Sequence, residues 1–423
     1  MRPRNAGARY ARPVKKTSKL TIGLSLSLSG RYAAMGCQAE SALRLFAADT
    51  NAAGGFEIDG QRHDIVLECA DDQGDQRHAE SIYRELSSNR RVNLLFSPYG
   101  SSLTRTAAPI AEAAGLLFVN HGGADDSLYQ RAYRMLVGVL TPASGYMTEF
   151  ARLASNLKFW RKRVAIVSAA SPFARAVAEG MERRCAERLI RRRGVRVRVK
   201  YHGRFDPEHN GERLYRALRR NRVNILLSTG SYEYDVAVMR FATSERLYIP
   251  VLGCVAAGVN SFCRDLGIGA EGIVGPAQWD PLIEVHPMLG PSAQEFVARF
   301  RASNSNEPDY PAAQAYAAGL LTQAAIRAAG SLDPARIRTA FSDLRTTTFF
   351  GDFAIEPSSG RQIGHKMLLV QWHEGRKIII HPEPDLHTGE LEFPSGWRLL
   401  LASLQMLRMK RHDSHEENAD GQE

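Results

Sequence analysis

Two short polar segments carry the side chains best suited to hold a small molecule, Gly100-Ser101-Ser102 and Gly230-Ser231-Tyr232. Each follows a short apolar run, Arg91-Val-Asn-Leu-Leu-Phe-Ser97 in one place and Arg222-Val-Asn-Ile-Leu-Leu-Ser228 in the other. At the carboxyl end of a strand, backbone N–H groups and helix N-termini open over a crevice, and with a serine hydroxyl they can hold an anionic or carbonyl oxygen. Catalysis would need more. His121 and Ser101 would supply base and nucleophile, yet no third residue is identifiable to orient the pair. The chain holds no G-x-S-x-G elbow, phosphate-binding loop or paired histidine ligands, and Gly30 followed by Arg31 does not make a dinucleotide-binding turn. These absences predict a protein that is not an enzyme and uses neither cofactor nor metal.

The elements that must position these segments read as one unit built twice. Leu20, Ile22, Leu24, Leu26 and Leu28 alternate with small polar residues, the period of a strand. Helices over 36–51, 78–89 and 104–114 then alternate with strands over 63–70, 92–97 and 116–120. The pattern restarts at Arg163, with strands over 164–168, 195–202, 222–228 and 248–253 separated by helices over 173–190, 211–221 and 234–244. Strands alternating with helices predict an α/β fold with doubly wound parallel sheets. Residues 291–341 read as mostly helical, and 349–355, 366–372 and 377–381 as antiparallel strands with a hairpin turn at 373–376. An amphipathic stretch, 397–409, lies in the tail.

At 423 residues the chain is longer than one core usually supports, which predicts two domains. The net charge of +10 suggests an anionic partner until it is located. Residues 1–20 hold seven cations and no acid, leaving +3 for the rest. That leader reads as a disordered basic tail, and it lacks the apolar core of a secretory signal, so the chain as written is expected to stay in the cytoplasm. The arginines of 183–200 lack the aromatic interleaving of a nucleic-acid stripe and read as an exposed helix face and an outward strand side. Five cysteines at 37, 69, 185, 254 and 263 have no metal-type spacing and read as free thiols.

Several local strings point further. In order they are Ile22-Gly-Leu-Ser-Leu-Ser-Leu-Ser-Gly30 with Gly36 beyond it, Asn51-Ala-Ala-Gly-Gly55, Asp71-Asp-Gln73, Ser97-Pro-Tyr-Gly-Ser101, Ala270-Glu-Gly-Ile273, Gln314-Ala-Tyr-Ala-Ala-Gly319, Phe350-Gly-Asp-Phe353, Ile363-Gly-His365 and Val370-Gln-Trp372. With them the chain resembles the type I periplasmic solute-binding proteins of the branched-chain amino acid and amide class, Leu/Ile/Val-binding-protein-like receptors of ABC importers. The resemblance implies two Rossmann-like lobes joined by three hinge crossings, expected near Leu140, Pro276 and Thr348. Lobe one would then be 20–140 plus 277–348, lobe two 141–276 plus 349–383, with a leader over 1–19 and a tail over 384–423.

The resemblance also implies a ligand site. It places Ser101, Ser102, Gly122, Gly123 and Ala124 on the loops that hold the ligand head group, Met35 on the first loop of lobe one, and Phe173 and Tyr232 as aromatic closures from lobe two. Gln278 and Trp279 would either line the pocket or pack the hinge. Taken without the resemblance, Ser101 reads as a plain helix cap and Gly122 as a plain turn. Three departures matter. Ala124 stands where the family has a hydroxyl residue, Gly253-Cys-Val-Ala256 lacks the acid that pairs with an ammonium, and Gly100 occupies a disulfide position of some relatives. A buried ammonium without a carboxylate is costly, so an amide, a carboxylate or an aromatic acid fits better than a free amino acid. The implied partners are a small organic solute and either the membrane subunits of an importer or a regulatory protein read by a cytoplasmic sensor, with no nucleic acid.

Overall fold

The computed structural model describes residues 18–381 apart from 59, 158–160, 245, 246 and 248. The basic leader up to residue 17 and the stretch 397–409 lie outside the described residues.

The alternation at the start of the chain produces β1 (Ser18–Leu26), whose Leu20, Ile22, Leu24 and Leu26 are all buried. It lies inside a six-stranded sheet with β2 (Phe56–Ile58), β3 (Gln61–Asp71), β4 (Val92–Phe96), β5 (Phe118–Asn120) and β6 (Leu136–Gly138), in the order β2-β3-β1-β4-β5-β6. Pairing is parallel except at β2, which forms a hairpin with β3. Helices α1 (Ala33–Ala52), α2 (Gln76–Ser88) and α3 (Ser101–Ala114) link the parallel strands. At three residues each, β2 and β6 are too short to show a hydropathy period, and the sequence reading missed both.

After α4 (Thr148–Asn156) a second sheet begins, built from β7 (Lys162–Ser168), β8 (Val195–His202), β9 (Ile225–Thr229), β10 (Val251–Cys254) and β11 (Val274–Ala277). Its crossovers are α5 (Pro172–Ala186) with α6 (Arg188–Arg192), α7 (Pro207–Arg220), α8 (Tyr232–Ser244) and α9 (Phe262–Leu266). The single helix expected over 173–190 is broken at Glu187, whose ψ of 141° is extended rather than helical. Helices α10 (Ala293–Ser303), α11 (Tyr310–Ala329) and α12 (Pro334–Asp343) then return to the first sheet, where α11 packs along α1. A small ribbon, β12 (Thr346–Thr348) with β13 (Gly351–Phe353), precedes β14 (Leu368–His373) and β15 (Arg376–His381), which complete the second sheet in the order β15-β14-β11-β10-β9-β7-β8. The repeated runs of the sequence become β4 and β9, each bonded to the first strand of its sheet.

The strand expected over 349–355 is shortened to Gly351–Phe353, and two aromatic side chains flank the turn before it. Phe349 stacks on Phe296 of α10 at 4.5 Å and 20°, and Phe350 stacks on His365 at 4.4 Å and 19°. These contacts turn the backbone between β12 and β13. They also bring His365 back against Phe350, shortly before the chain enters β14.

The three passages are tied to one another at Thr141. Its backbone N–H donates to Gln278 Oε1 at 3.2 Å, its carbonyl accepts from Gln278 Nε2 at 3.0 Å, and its hydroxyl meets His365 Nδ1 at 2.6 Å. His365 Nε2 faces the Phe350 carbonyl at 3.1 Å and must carry the ring proton, so Nδ1 accepts from the threonine hydroxyl. Burial pushes His365 down to about 4, which keeps the ring neutral and that tautomer in place. Trp279 is buried in the same region, donating to the Phe349 carbonyl at 3.1 Å. Gln278 and Trp279 therefore pack the hinge.

In the second sheet the carboxyl ends of β9 and β10 are joined through Asp235. Its carboxylate accepts from Ser228 Oγ at 2.7 Å and from the Ala256 N–H at 3.0 Å, fully buried.

Two predictions follow from these buried groups. Thr141→Val leaves His365 Nδ1 unpaired, at a cost of about 1–3 kcal/mol, whereas Thr141→Ser retains the bond. Denaturant melts of the two variants should separate accordingly. Burial raises Asp235 to about 7. A raised folded-state pKa stabilises fully below the ordinary carboxylate range, and the stabilisation is lost as pH rises through about 7. The Tm difference between Asp235→Asn and the parent should therefore shift in favour of the variant between pH 5 and pH 8, and a pH-independent difference would contradict the assignment.

Candidate ligand-binding cleft

In the first sheet the crossovers reverse between β1 and β4, and in the second between β7 and β9. At such a switch point adjacent loops separate and leave a crevice at the strands' carboxyl ends. The two crevices face each other. Tyr146, beyond the first passage, meets Phe173 at the start of α5 edge to face, with ring centroids 5.3 Å apart. Asp309, at the N-cap of α11, accepts from the Asn260 N–H of the second sheet's side at 3.2 Å.

Ser101 is the first residue of α3, not a residue of the loop before it. Its hydroxyl oxygen accepts the Ala124 N–H at 3.2 Å, so its own proton remains to donate. Gly100 offers α3 no side-chain cap, and the first-turn N–H groups of the helix open on the same side. Ser102 lies beside Arg31, whose Nη2 is 3.5 Å from the serine hydroxyl.

The glycine loop is held by hydrogen bonds of its own. The Gly122 N–H donates to Ser97 Oγ at 3.0 Å and the Gly123 N–H to Asn120 Oδ1 at 2.8 Å. With the Ala124 N–H on Ser101, all three amides are bonded within the protein rather than open to a ligand. The glycines answer to space instead. A Cβ on Gly122 would lie 2.1 Å from the Pro98 carbonyl oxygen, and one on Gly123 would lie 2.5 Å from the Thr104 hydroxyl. The loop thus supports Ser101, and His121 beside it is buried. Burial pushes His121 down to about 4, so its ring is neutral, and neither ring nitrogen has a partner among the described residues.

Met35 is half-buried in the first turn of α1. Phe173 joins the cleft through Tyr146. Tyr232, the first residue of α8, is turned toward its own lobe, with its hydroxyl donating to Asp265 Oδ2 at 2.6 Å and accepting from Ser261 Oγ at 3.0 Å. Burial first, then the bond to Asp265, raise that phenol to about 12.

The residues that sequence reading missed are aromatic. Tyr99 and Tyr310 share a hydroxyl-to-hydroxyl hydrogen bond, and Tyr32 sits edge to face with Tyr99 at 6.0 Å. Tyr146 is near enough to both Tyr99 and Tyr310 to bear on their ionisation, and burial raises all three, Tyr146 to about 12. The Arg31 guanidinium lies 4.4 Å from the Tyr32 ring centroid. Tyr99 was visible inside the string Ser97-Pro-Tyr-Gly-Ser101, but its partner lies 211 residues away.

The hydrogen-bond inventory has one sign. The Tyr146 oxygen accepts from Gln278 Nε2 at 3.0 Å, which leaves its proton to donate. In the Tyr99–Tyr310 pair one proton bridges and one remains. Three carboxylates near the cleft accept hydrogen bonds from the protein: Asp309 from the Asn260 and Tyr310 N–H groups, Asp126 from Ser144, and Asp265 from Tyr232 and Arg264. Among the described residues no carboxylate pairs with Arg31. All five cysteines are free.

Comparison with known proteins agrees with this geometry. A family model described as periplasmic binding protein matches residues 19–377. Among solved structures, a putative branched-chain amino acid ABC transporter protein from Silicibacter pomeroyi is 15% identical, covering 89% of this chain and 99% of its own, with a TM-score of 0.75. The branched-chain amino acid transporter substrate-binding protein LivJ from Streptococcus pneumoniae, in complex with isoleucine, is 18% identical over 90% of this chain and 100% of its own, at 0.70. A solute-binding protein from R. palustris in complex with benzoate is 17% identical over 86% of this chain and 96% of its own, at 0.67. With two doubly wound sheets facing across a three-stranded hinge and a family match over most of its length, the chain belongs to the periplasmic binding protein family and has its type I, two-lobed fold.

Proposed function

We propose that the protein captures a small aromatic carboxylate by closing its two lobes on it, without catalysis, and delivers it to an ABC-type importer. The observation that carries this reading is the donor-only character of the cleft. Ser101, Tyr146 and one of the Tyr99–Tyr310 pair have protons to give, Arg31 adds a cation, and the nearby carboxylates are already bonded. An anion finds partners there; an ammonium would be buried without one, at substantial cost. The rings of Tyr32, Tyr99, Tyr310, Tyr146 and Phe173 supply an aromatic enclosure drawn from both lobes. The benzoate complex of a protein with the same fold supports the choice, and the isoleucine complex of another marks the competing class. Closure follows because such a ligand touches both lobes at once and so favours the closed state. Ser102, Gly122, Gly123 and Ala124 form the supporting loop in this reading, and Met35 and Tyr232 flank the cleft.

A thermal-shift panel of benzoate, 4-hydroxybenzoate, benzamide and leucine tests it. Ligand at a hundredfold excess over Kd stabilises by about 2.7 kcal/mol, so an aromatic carboxylate should raise Tm measurably and leucine should not. Leucine as the dominant ligand would overturn the proposal. Arg31→Gln should weaken benzoate about threefold to fivefold while leaving benzamide unchanged, the signature of a charge partner at the solvent-exposed rim of the cleft. Ser101→Ala should weaken the best ligand several-fold, and unchanged affinity in calorimetry would remove Ser101 from the site.

A further inference from the structure

The positive charge of the chain is concentrated in one place on the fold. Residues 182–222 hold fourteen arginines and one lysine against five acids, a net +10 that equals the formal charge of the whole protein. They build α6, β8, α7 and the end of α5, and β8 is the outermost strand of the second sheet. Strand β8 exposes Arg196, Arg198 and Lys200. Its register shifts between its pairings with Val164 and Ala165, so Val195 and Val197 pack on one side of the sheet and Val199 and Tyr201 on the other. The cations therefore point to both sides of the edge. Helices α5 and α6 pack on one face of the sheet and α7 on the other, extending the charge around it.

Local ion pairs account for a minority of these groups. Lys200 meets Glu182, Arg184 meets Glu187 at 2.6 Å, Arg183 meets Glu179 at 3.9 Å, and Arg216 meets Glu212 at 2.6 Å. Among the described residues Arg188, Arg191, Arg192, Arg198, Arg213 and Arg220 have no carboxylate partner. Charged side chains on an edge strand guard against strand pairing, but that role asks nothing of the arginines on the flanking helices. Leu189 then selects the partner. It is 62% exposed as the second residue of α6, with Arg188 before it and Arg192 one turn on, while Ile190 anchors the helix in the core.

We propose that this edge of the second lobe docks on an anionic phospholipid surface. An exposed leucine ringed by arginines suits the boundary between headgroups and acyl chains, with the guanidinium groups held at the phosphates. The aromatic rings of the face are not presented for base stacking. The Tyr201 hydroxyl donates to the Arg204 carbonyl at 2.7 Å, and the Tyr215 ring lies under Arg219 at 5.7 Å. A lipid surface is thus favoured over a nucleic acid, and it would hold the receptor by its second lobe with the cleft left free.

Vesicle co-sedimentation of the full chain tests the assignment, using phosphatidylcholine with and without phosphatidylglycerol, at low and high salt. Binding should require phosphatidylglycerol and fall as salt rises. The combined Arg188→Glu, Arg191→Glu and Arg192→Glu variant should lose at least about tenfold, and Leu189→Ala should weaken binding further than charge alone explains. Arg213→Glu with Arg220→Glu, on the opposite face, provides a second variant should the first misfold, with solute affinity and the thermal melt reporting the fold. Binding that survives charge reversal on both faces would place the contact in the basic leader and overturn the proposal. Tighter binding to duplex DNA than to phosphatidylglycerol vesicles would overturn it equally.

Discussion

Everything this protein can do as a clamp depends on the buried polar junction where Thr141, Gln278 and His365 join the three interlobe passages. Backbone and side-chain groups there are removed from water, so each must keep a partner while the lobes turn. Thr141 satisfies this by engaging the other two passages at once, through its backbone and through its hydroxyl. The arrangement ties the three passages to one another. It also explains why a histidine occurs in the hinge: held neutral by burial, it presents an acceptor to Thr141 and a donor to Phe350 from a single rigid ring.

From that junction the chemistry of the cleft follows by continuity. Gln278 extends from the hinge to the Tyr146 hydroxyl, and Tyr146 packs edge to face on Phe173. Hinge and cleft are therefore joined through Gln278 and Tyr146. Because the hinge side donates to Tyr146, the proton of Tyr146 is directed away from the hinge. The same logic holds at Ser101, whose oxygen is occupied by the Ala124 N–H. At both places protein N–H groups occupy the hydroxyl oxygen and leave its proton to donate.

The parts of this fold legible in the sequence are those governed by local periodicity. The alternation from Leu20 to Leu28 marked β1, the repeated runs marked β4 and β9, and their matched places in the two sheets answer the question their likeness raised. What escaped notice depends on distant partners. Phe349 turned an apparent strand into a ribbon by stacking on Phe296. The close approach of Pro98 and Thr104 to Gly122 and Gly123 could not be read from the sequence. The bond from Tyr232 to Asp265 joins residues 33 apart in the chain, beyond any local pattern. The arginines of 183–200 do form an exposed helix and strand side, as expected, yet their meeting with α7 around one sheet edge is a property of topology alone.

The central claim is that an aromatic carboxylate closes two lobes around one hinge, and small-angle X-ray scattering tests it most directly. Saturating benzoate should lower the radius of gyration, while leucine at the same concentration leaves it unchanged. A benzoate complex that forms without any change in the radius of gyration, or compaction by leucine instead, would contradict the account.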